Sequence, residues 1–153
     1  MSELPSNRVA AWRAFLWAHA LILQRFRSDL REQGLPIEEF DVLIHLYEAP
    51  TRRLPLSALA GSMVLGGTLT RSGLTRLLDR MESAGLVKRH LNRDDRRRFD
   101  VALTPRGARR FEAVWPDHVR GIGRYFSEPL GEDDVEALAA TLAKLIESNP
   151  GKR

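Results

Sequence analysis

The sequence has no cysteine, few aromatic side chains and no long apolar run, and each absence narrows the possible functions. Of its 153 residues none is Cys, and only 7% are aromatic. Without Cys, disulfide scaffolds, thiol catalysis and zinc–thiolate sites are excluded. No apolar stretch reaches the ~18 residues that a membrane-spanning helix needs, and residues 1–8 lack the apolar core of a signal peptide. We therefore expect one domain over residues 1–153, located in the cytoplasm and without membrane contact.

Motifs for enzymatic chemistry are also absent from the sequence. It contains no glycine-rich phosphate loop and no Gly-x-Ser-x-Gly motif. The four histidines lack the spacing that metal ligands on one helix or turn require; they are His19, His45, His90 and His118. We expect neither an enzyme nor a protein that holds a metal or cofactor.

Basic residues are concentrated in one part of the chain. The segment from Arg71 to Arg110 contains twelve basic and five acidic residues, a net charge of +7, although the whole chain carries only +4. The rest of the chain is therefore acidic, with a net charge of −3. A polyanion is the obvious partner for such a segment. Charge alone leaves a solvated, arginine-rich surface as an equal alternative.

Apolar periodicity, with Pro and Gly as stop signals, predicts a mainly α-helical fold with a small β hairpin. The predicted helices cover residues 8–33, 36–49, 56–63, 70–84, 105–127 and 132–148. Residues 53–55 are expected to be extended, and residues 87–91 and 99–103 show the alternation of a hairpin. Pro116 is expected to bend the fifth helix.

The first helix carries an apolar seam with alternating steps of three and four residues, the spacing of a heptad. Its members are Val9, Trp12, Leu16, His19, Leu23, Phe26 and Leu30. Such a seam on a long terminal helix packs against other helices of the same subunit or of a partner. The seam is a first indication of a homodimer.

The fourth helix and the hairpin after it have the layout of a winged helix-turn-helix, whose second helix enters the major groove of DNA. Opposite its leucines the helix carries Ser72, Thr75, Arg76 and Asp79, and Arg71 and Gly73 lie at its start. An ordinary amphipathic helix with a solvated polar face is the alternative for the helix taken alone. The hairpin favours DNA, because its loop holds four arginines that suit a narrow minor groove; they are Arg93, Arg96, Arg97 and Arg98.

These segments resemble the MarR family of winged helix-turn-helix transcription regulators. The matching text is Leu56-Ser57-Ala58-Leu59-Ala60, the stretch from Thr70 to Glu82, Ala84-Gly85-Leu86-Val87, Asp94-Asp95-Arg96-Arg97, and Leu103-Thr104-Pro105-Arg106-Gly107. The resemblance implies a winged helix-turn-helix lobe over residues 36–104. It also implies that residues 8–33 and 105–148 form the helical dimerisation region.

The resemblance further implies roles for individual residues. Arg97 would be the wing-tip arginine in the minor groove, Asp95 the acid that holds it, and Thr70 to Arg76 the opening of the recognition helix. One departure concerns the turn before this helix, which holds about four residues more than the family pattern, around Gly66 to Leu69. This insertion is expected to change individual base contacts more than the DNA-binding role.

Family members commonly bind small aromatic or anionic effectors between the DNA-binding lobe and the dimer helices. By this resemblance an aromatic wall with titratable donors would suit a phenolic or carboxylate effector. The candidate residues are Trp12, Trp17, His19, His45 and His118. The alternative is that these side chains belong to the core or to the dimer interface.

The sequence thus predicts a homodimeric repressor that binds double-stranded DNA at a pseudo-palindromic operator and is released by a small effector. Two alternative functions belong to other classes of protein. One is an architectural DNA-binding protein without sequence preference. The other is a winged helix that binds an acidic protein partner through its arginines.

Overall fold

The computed structural model describes residues 5–63, 70–91 and 99–149, with the side chain of Arg71 left out. Within these residues the fold consists of six α-helices, one π-helical turn and one small sheet. In chain order the elements are α1 (Ser6–Glu32), α2 (Ile37–Glu48), β1 (Arg53–Pro55), α3 (Leu56–Ser62), α4 (Arg71–Ser83), β2 (Val87–Leu91), β3 (Phe99–Leu103), α5 (Pro105–Ile122), the π-helical turn (Gly123–Ser127) and α6 (Glu132–Ser148).

The predicted fold class is confirmed, and most helix and strand ends fall within two residues of the predicted ones. The fifth helix differs. Its α-helical part ends at Ile122 and a π-helical turn continues to Ser127. Pro116 lies inside α5, which continues through it. Loss of the one hydrogen bond that proline cannot donate is tolerated there.

Glycine permits two tight turns where helices end. Gly34 follows α1 with φ +69°, and Gly85 follows α4 with φ +71°. Because residues with a Cβ seldom adopt this left-handed conformation, glycine is the usual residue just past a helix end. The turn at Gly85 sends the chain from α4 directly into β2, so the fourth helix and the hairpin are held side by side.

One hydrophobic core joins the helices to the sheet. It is formed by α2 and α4, the C-terminal half of α1, and the N-terminal two thirds of α5, with Leu59 contributed by α3 and Val87 and Val101 by the sheet. Phe40, Leu43 and Leu78 are fully buried within it. Burial of a side chain of this size stabilises the fold by about 1.5–3 kcal/mol. The core therefore fixes α4 from behind, which leaves its other face to solvent.

The sheet is antiparallel, with strand order β1-β3-β2. In the hairpin Val87 pairs with Leu103 and Leu91 with Phe99. On the other side of β3, Leu54 pairs with Val101. An ion pair between Arg53 and Asp100, with Nε and Nη2 at 3.1 and 3.0 Å from Oδ2, ties β1 to β3. Strand β1 thus supports the hairpin along β3.

Both terminal helices leave apolar side chains uncovered in the single protomer. Of the seam on α1 only Phe26 and Leu30 are buried, whereas Trp12 is 59% exposed. No residue of α6 is buried, and Ile146 is 72% exposed. The seam predicted over the whole helix therefore serves two purposes: its C-terminal end packs into the protomer's own core, and its N-terminal half forms an exposed apolar face. No helix among the described residues is long and apolar enough to cross a membrane.

Candidate nucleic-acid interface

Helix α4 separates apolar from polar side chains as its spacing predicts. Leu74, Leu77, Leu78 and Met81 are buried against the core. Ser72, Thr75 and Arg76, together with Asp79, are exposed on the opposite face. This face offers hydroxyl groups, a long cation and the carboxylate of Asp79 to solvent. Hydroxyl groups and cations are groups that read base edges and phosphates.

The start of α4 is held by its own side chains. Thr70 is the N-cap: its hydroxyl oxygen accepts a hydrogen bond from the Gly73 backbone N–H at 3.1 Å. The hydroxyl groups of Thr70 and Ser72 lie 3.1 Å apart and share a hydrogen bond. Since Thr70 satisfies a free amide of the first turn, its observed role is to define where the helix starts. The backbone N–H groups and the dipole at this end favour a nearby phosphate.

Arg89 on β2 joins the hairpin to α4. Its Nη1 lies 2.6 Å from Asp79 Oδ1 and 3.4 Å from Glu82 Oε2, and its Nη2 donates to the Thr75 carbonyl oxygen at 3.0 Å. The Arg89 backbone N–H donates to Glu82 Oε1 at 2.8 Å. Charge-assisted hydrogen bonds of this kind fix relative orientation as well as adding stability. These contacts therefore tie helix α4 to strand β2.

The base of the hairpin is locked to α5 through the predicted Thr-Pro start signal. The Thr104 hydroxyl donates toward the Gly85 carbonyl oxygen at 2.6 Å and accepts from the Gly107 N–H at 3.0 Å. Gly107 packs so closely that a Cβ there would lie 2.1 Å from the Leu86 carbonyl oxygen. The motif from Leu103 to Gly107 thus joins the end of α4, the hairpin and α5 at one point.

The predicted wing-tip residues lie outside the described part of the chain. They are Arg93, Asp95, Arg96, Arg97 and Arg98. The longer turn at Gly66 to Leu69 also lies outside it. The described strands on either side are β2, which ends at Leu91, and β3, which begins at Phe99. The wing-tip assignments stay predictions.

The five candidate effector residues are not gathered into one site by the ring contacts of the described residues. On the exposed half of α1, Trp12 stacks on Phe15 and Phe15 on His19, with ring centroids 6.0 and 6.3 Å apart. Trp17 is 68% exposed. His118 lies instead in the core, with its ring centroid 4.5 Å from that of Phe40.

The two other histidines in this group differ in their surroundings. His118 is buried, and burial lowers its pKa. His45 Nε2 lies 3.3 Å from Oδ1 of the buried Asp41. The contact with this carboxylate raises the pKa of His45, although partial burial acts in the opposite direction. His118 therefore packs as a neutral aromatic ring, while His45 is a partner for an acid in α2.

Within the described ranges no cluster of three or more His, Cys, Asp or Glu side chains could hold a metal ion.

Two features of the interface were not predicted from the sequence. The acceptors of Arg89 were not predictable from spacing alone, because Asp79, Thr75 and Glu82 lie ten, fourteen and seven residues before it on α4. The pair Arg53–Asp100 depends on the pairing of β1 with β3 across 47 residues. The alternation Val87, Arg89 was the available signal, since it places Arg89 on the buried side of its strand.

A helix with an exposed polar face, packed beside a three-stranded hairpin sheet and preceded by a shorter helix, defines a winged helix-turn-helix protein. The MarR family model matches residues 33–98. The transcriptional repressor MdtR of Bacillus subtilis is 34% identical over 124 residues, which cover 80% of this chain and 76% of MdtR. The chain belongs to the MarR family of transcriptional regulators, which agrees with the prediction that it is not an enzyme.

Two further comparisons extend this result. The repressor YetL of Bacillus subtilis is 28% identical over 75% of this chain, and the match spans 66% of YetL, just under two thirds of its length. Sco3205 of Streptomyces coelicolor, a MarR family regulator solved in complex with DNA, superposes with a TM-score of 0.86 at 25% identity, over 99% of this chain and 93% of Sco3205. The fold therefore matches a DNA-bound relative along nearly its whole length.

Proposed function

We propose that the protein is a sequence-specific transcriptional repressor that binds a pseudo-palindromic operator in the cytoplasm as a homodimer and is released by a small effector. The observation that carries the proposal is the exposed polar face of α4, which is fixed from behind by the core and from the side by Arg89. This arrangement suits a recognition helix, because a rigid helix can align several short side chains with base edges at once.

The homodimer is supported by the uncovered apolar faces of the terminal helices. Trp12, Leu21 and Ile146 are each more than half exposed in the protomer. Large apolar side chains that stay exposed on both terminal helices indicate an interface with another protein. A second copy of the chain would cover both faces and place two α4 helices about 34–36 Å apart, the spacing of successive major grooves on one side of DNA.

Effector release is supported by the position of the aromatic residues on α1. Trp12, Phe15 and His19 form a ladder of rings beside the proposed interface. An anionic aromatic ligand that bound there would contact both protomers and change the spacing of the two winged helix-turn-helix lobes. A ligand acts in this way only to the extent that it prefers one spacing over the other.

The proposal is tested by matched variants measured on an operator and on a scrambled duplex at several salt concentrations. Arg97→Ala is expected to weaken binding to both duplexes. It should also reduce the slope of log affinity against log salt concentration by about the value of one phosphate contact. Thr75→Ala is expected to reduce operator affinity by about tenfold while scrambled binding stays nearly constant. Ser83→Ala, at the exposed far end of α4, is the control and should change neither. Equal losses on both duplexes for Thr75→Ala would contradict the assignment of α4.

A further inference from the structure

Arg89 connects the hairpin to α4 by hydrogen bonds and ion pairs. Its guanidinium reaches Thr75, Asp79 and Glu82, which are spaced by four and three residues and therefore share one side of the helix. The same side continues into the exposed polar face that carries Thr75 and Asp79. The groups that Arg89 contacts on α4 are consequently adjacent to the surface proposed to face DNA.

The position of Arg89 in the sheet explains why it points to α4. Side chains two residues apart on a strand project from the same face, and Val87 on that face is buried in the core. Arg89 continues this face one step farther, opposite Val101 in the register. Lys88, between them, is exposed. Arg89 therefore lies where the hydrophobic contact between sheet and helix ends and polar contact begins.

Carboxylates on the DNA side of a recognition helix are unfavourable unless they are neutralised. Asp79 is more than half exposed and Glu82 is more than one third exposed, so both can sense a phosphate brought close by binding. Repulsion between like charges at short range costs affinity. Arg89 places a positive charge 2.6 Å from Asp79, which cancels this repulsion before DNA arrives.

The contacts of Arg89 also depend on shape. One guanidinium serves a backbone carbonyl oxygen and two carboxylates at the same time, and the Arg89 N–H serves Glu82 as well. A lysine would keep the charge, but its single ammonium group cannot span these acceptors with the same geometry. The angle between α4 and the hairpin is therefore set by an arginine and not by charge alone.

We propose that Arg89 is a specificity-determining positioning residue, which neutralises Asp79 and Glu82 and fixes the angle between the recognition helix and the wing. The inference rests on the proposed function, because it concerns how sequence preference is achieved. It does not make Arg89 a DNA contact. Since its ion pairs are partly exposed, they contribute little to global stability, and the fold should survive its replacement.

The experiment measures binding of wild-type protein, Arg89→Ala, Arg89→Lys and Lys88→Ala to an operator, selected by the wild-type protein from random duplexes, and to a scrambled duplex. Arg89→Ala is expected to lower the ratio of operator to scrambled affinity by about tenfold, with scrambled affinity changed by less than about threefold. Arg89→Lys should fall between Arg89→Ala and wild type. Lys88→Ala removes an exposed charge from the adjacent residue and should leave the ratio within about twofold of wild type.

A rescue separates neutralisation from a merely structural role. Adding Asp79→Asn to Arg89→Ala removes the uncompensated carboxylate. The double variant should have a ratio of operator to scrambled affinity at least about threefold higher than that of Arg89→Ala. Thermal unfolding of each variant identifies any that fail to fold, and Arg89→Lys then provides the comparison. The inference would be overturned if Arg89→Ala kept the wild-type ratio of operator to scrambled affinity, or if Asp79→Asn did not rescue it. Either result would leave the proposed function intact. Failure of the wild-type protein to select any operator would overturn both.

Discussion

Replacing Gly107 by alanine should disrupt the junction of α4, the hairpin and α5. A Cβ at this position would lie 2.1 Å from the Leu86 carbonyl oxygen and 2.8 Å from Leu103 Cδ1. The first neighbour is backbone that is already hydrogen-bonded to Thr104, so α5 must move away by about 1 Å. Such overpacking costs about 1–3 kcal/mol.

Movement of α5 would also weaken two hydrogen bonds of the Thr104 hydroxyl, with the Leu86 carbonyl oxygen and the Gly107 N–H, at a further cost of about 1 kcal/mol each. The better helix propensity of alanine offsets about 1 kcal/mol. The net destabilisation is therefore about 2–4 kcal/mol, which corresponds to a Tm lower by roughly 5–15 °C in a chain of this size.

Chemical denaturation of Gly107→Ala beside Gly123→Ala measures this effect. A Cβ at Gly123 would meet only the flexible Glu128 side chain, at 3.4 Å, and the residue has a helical φ of −51°. Gly123→Ala should therefore change the free energy of unfolding by less than about 1 kcal/mol. If the two variants had equal stability, the close packing at the Leu86 carbonyl would be refuted.

Three further predictions concern pH and assembly. Burial lowers the pKa of His118 from its ordinary value of 6.5. The unfolded chain therefore binds more protons than the folded one below pH 6.5, and stability falls as the pH drops. His118→Phe should reduce this loss of stability in denaturation measured from pH 7.5 to 5. The contact with Asp41 raises the pKa of His45 above 6.5. The stability that this pair contributes is therefore present below pH 6.5 and is lost as the pH rises through the raised pKa. His45→Gln should remove that loss, and an unchanged dependence of stability on pH would refute the role of the pair. Ile146→Asp should weaken the dimer at least about tenfold in sedimentation, whereas Ala140→Asp on the other face of α6 should not, and equal effects would exclude this face from the interface.

The elements of the fold were predictable because their signals are local. Thr70 and Thr104 cap helix starts and Gly34 and Gly85 follow helix ends, whereas Pro36 lies one residue before the helical turn in which it was predicted. The alternation of residues 87–91 and 99–103 specified the hairpin. These features depend on residues a few positions apart, so the sequence alone contains them.

The arrangement of the site was predictable only in part. The spacing in α4 separated its buried leucines from Ser72, Thr75 and Arg76, because helical period determines which residues share a face. The contacts of Arg89 and the Arg53–Asp100 pair depend on how distant elements dock, which periodicity does not encode. The seam of α1 shows the same limit, since its spacing predicted apolar contact without showing that the helix divides its contacts between its own core and an exposed face.

Sequence-specific DNA binding is tested by selection of bound duplexes from a random DNA library near physiological salt, with wild type beside Arg97→Ala. Our account predicts an enriched inverted repeat for the wild-type protein, with half-sites about one helical turn apart, and loss of that enrichment in the variant. Binding without enrichment would contradict sequence-specific recognition and indicate an architectural role. No binding would contradict the account altogether and direct attention to an acidic protein partner.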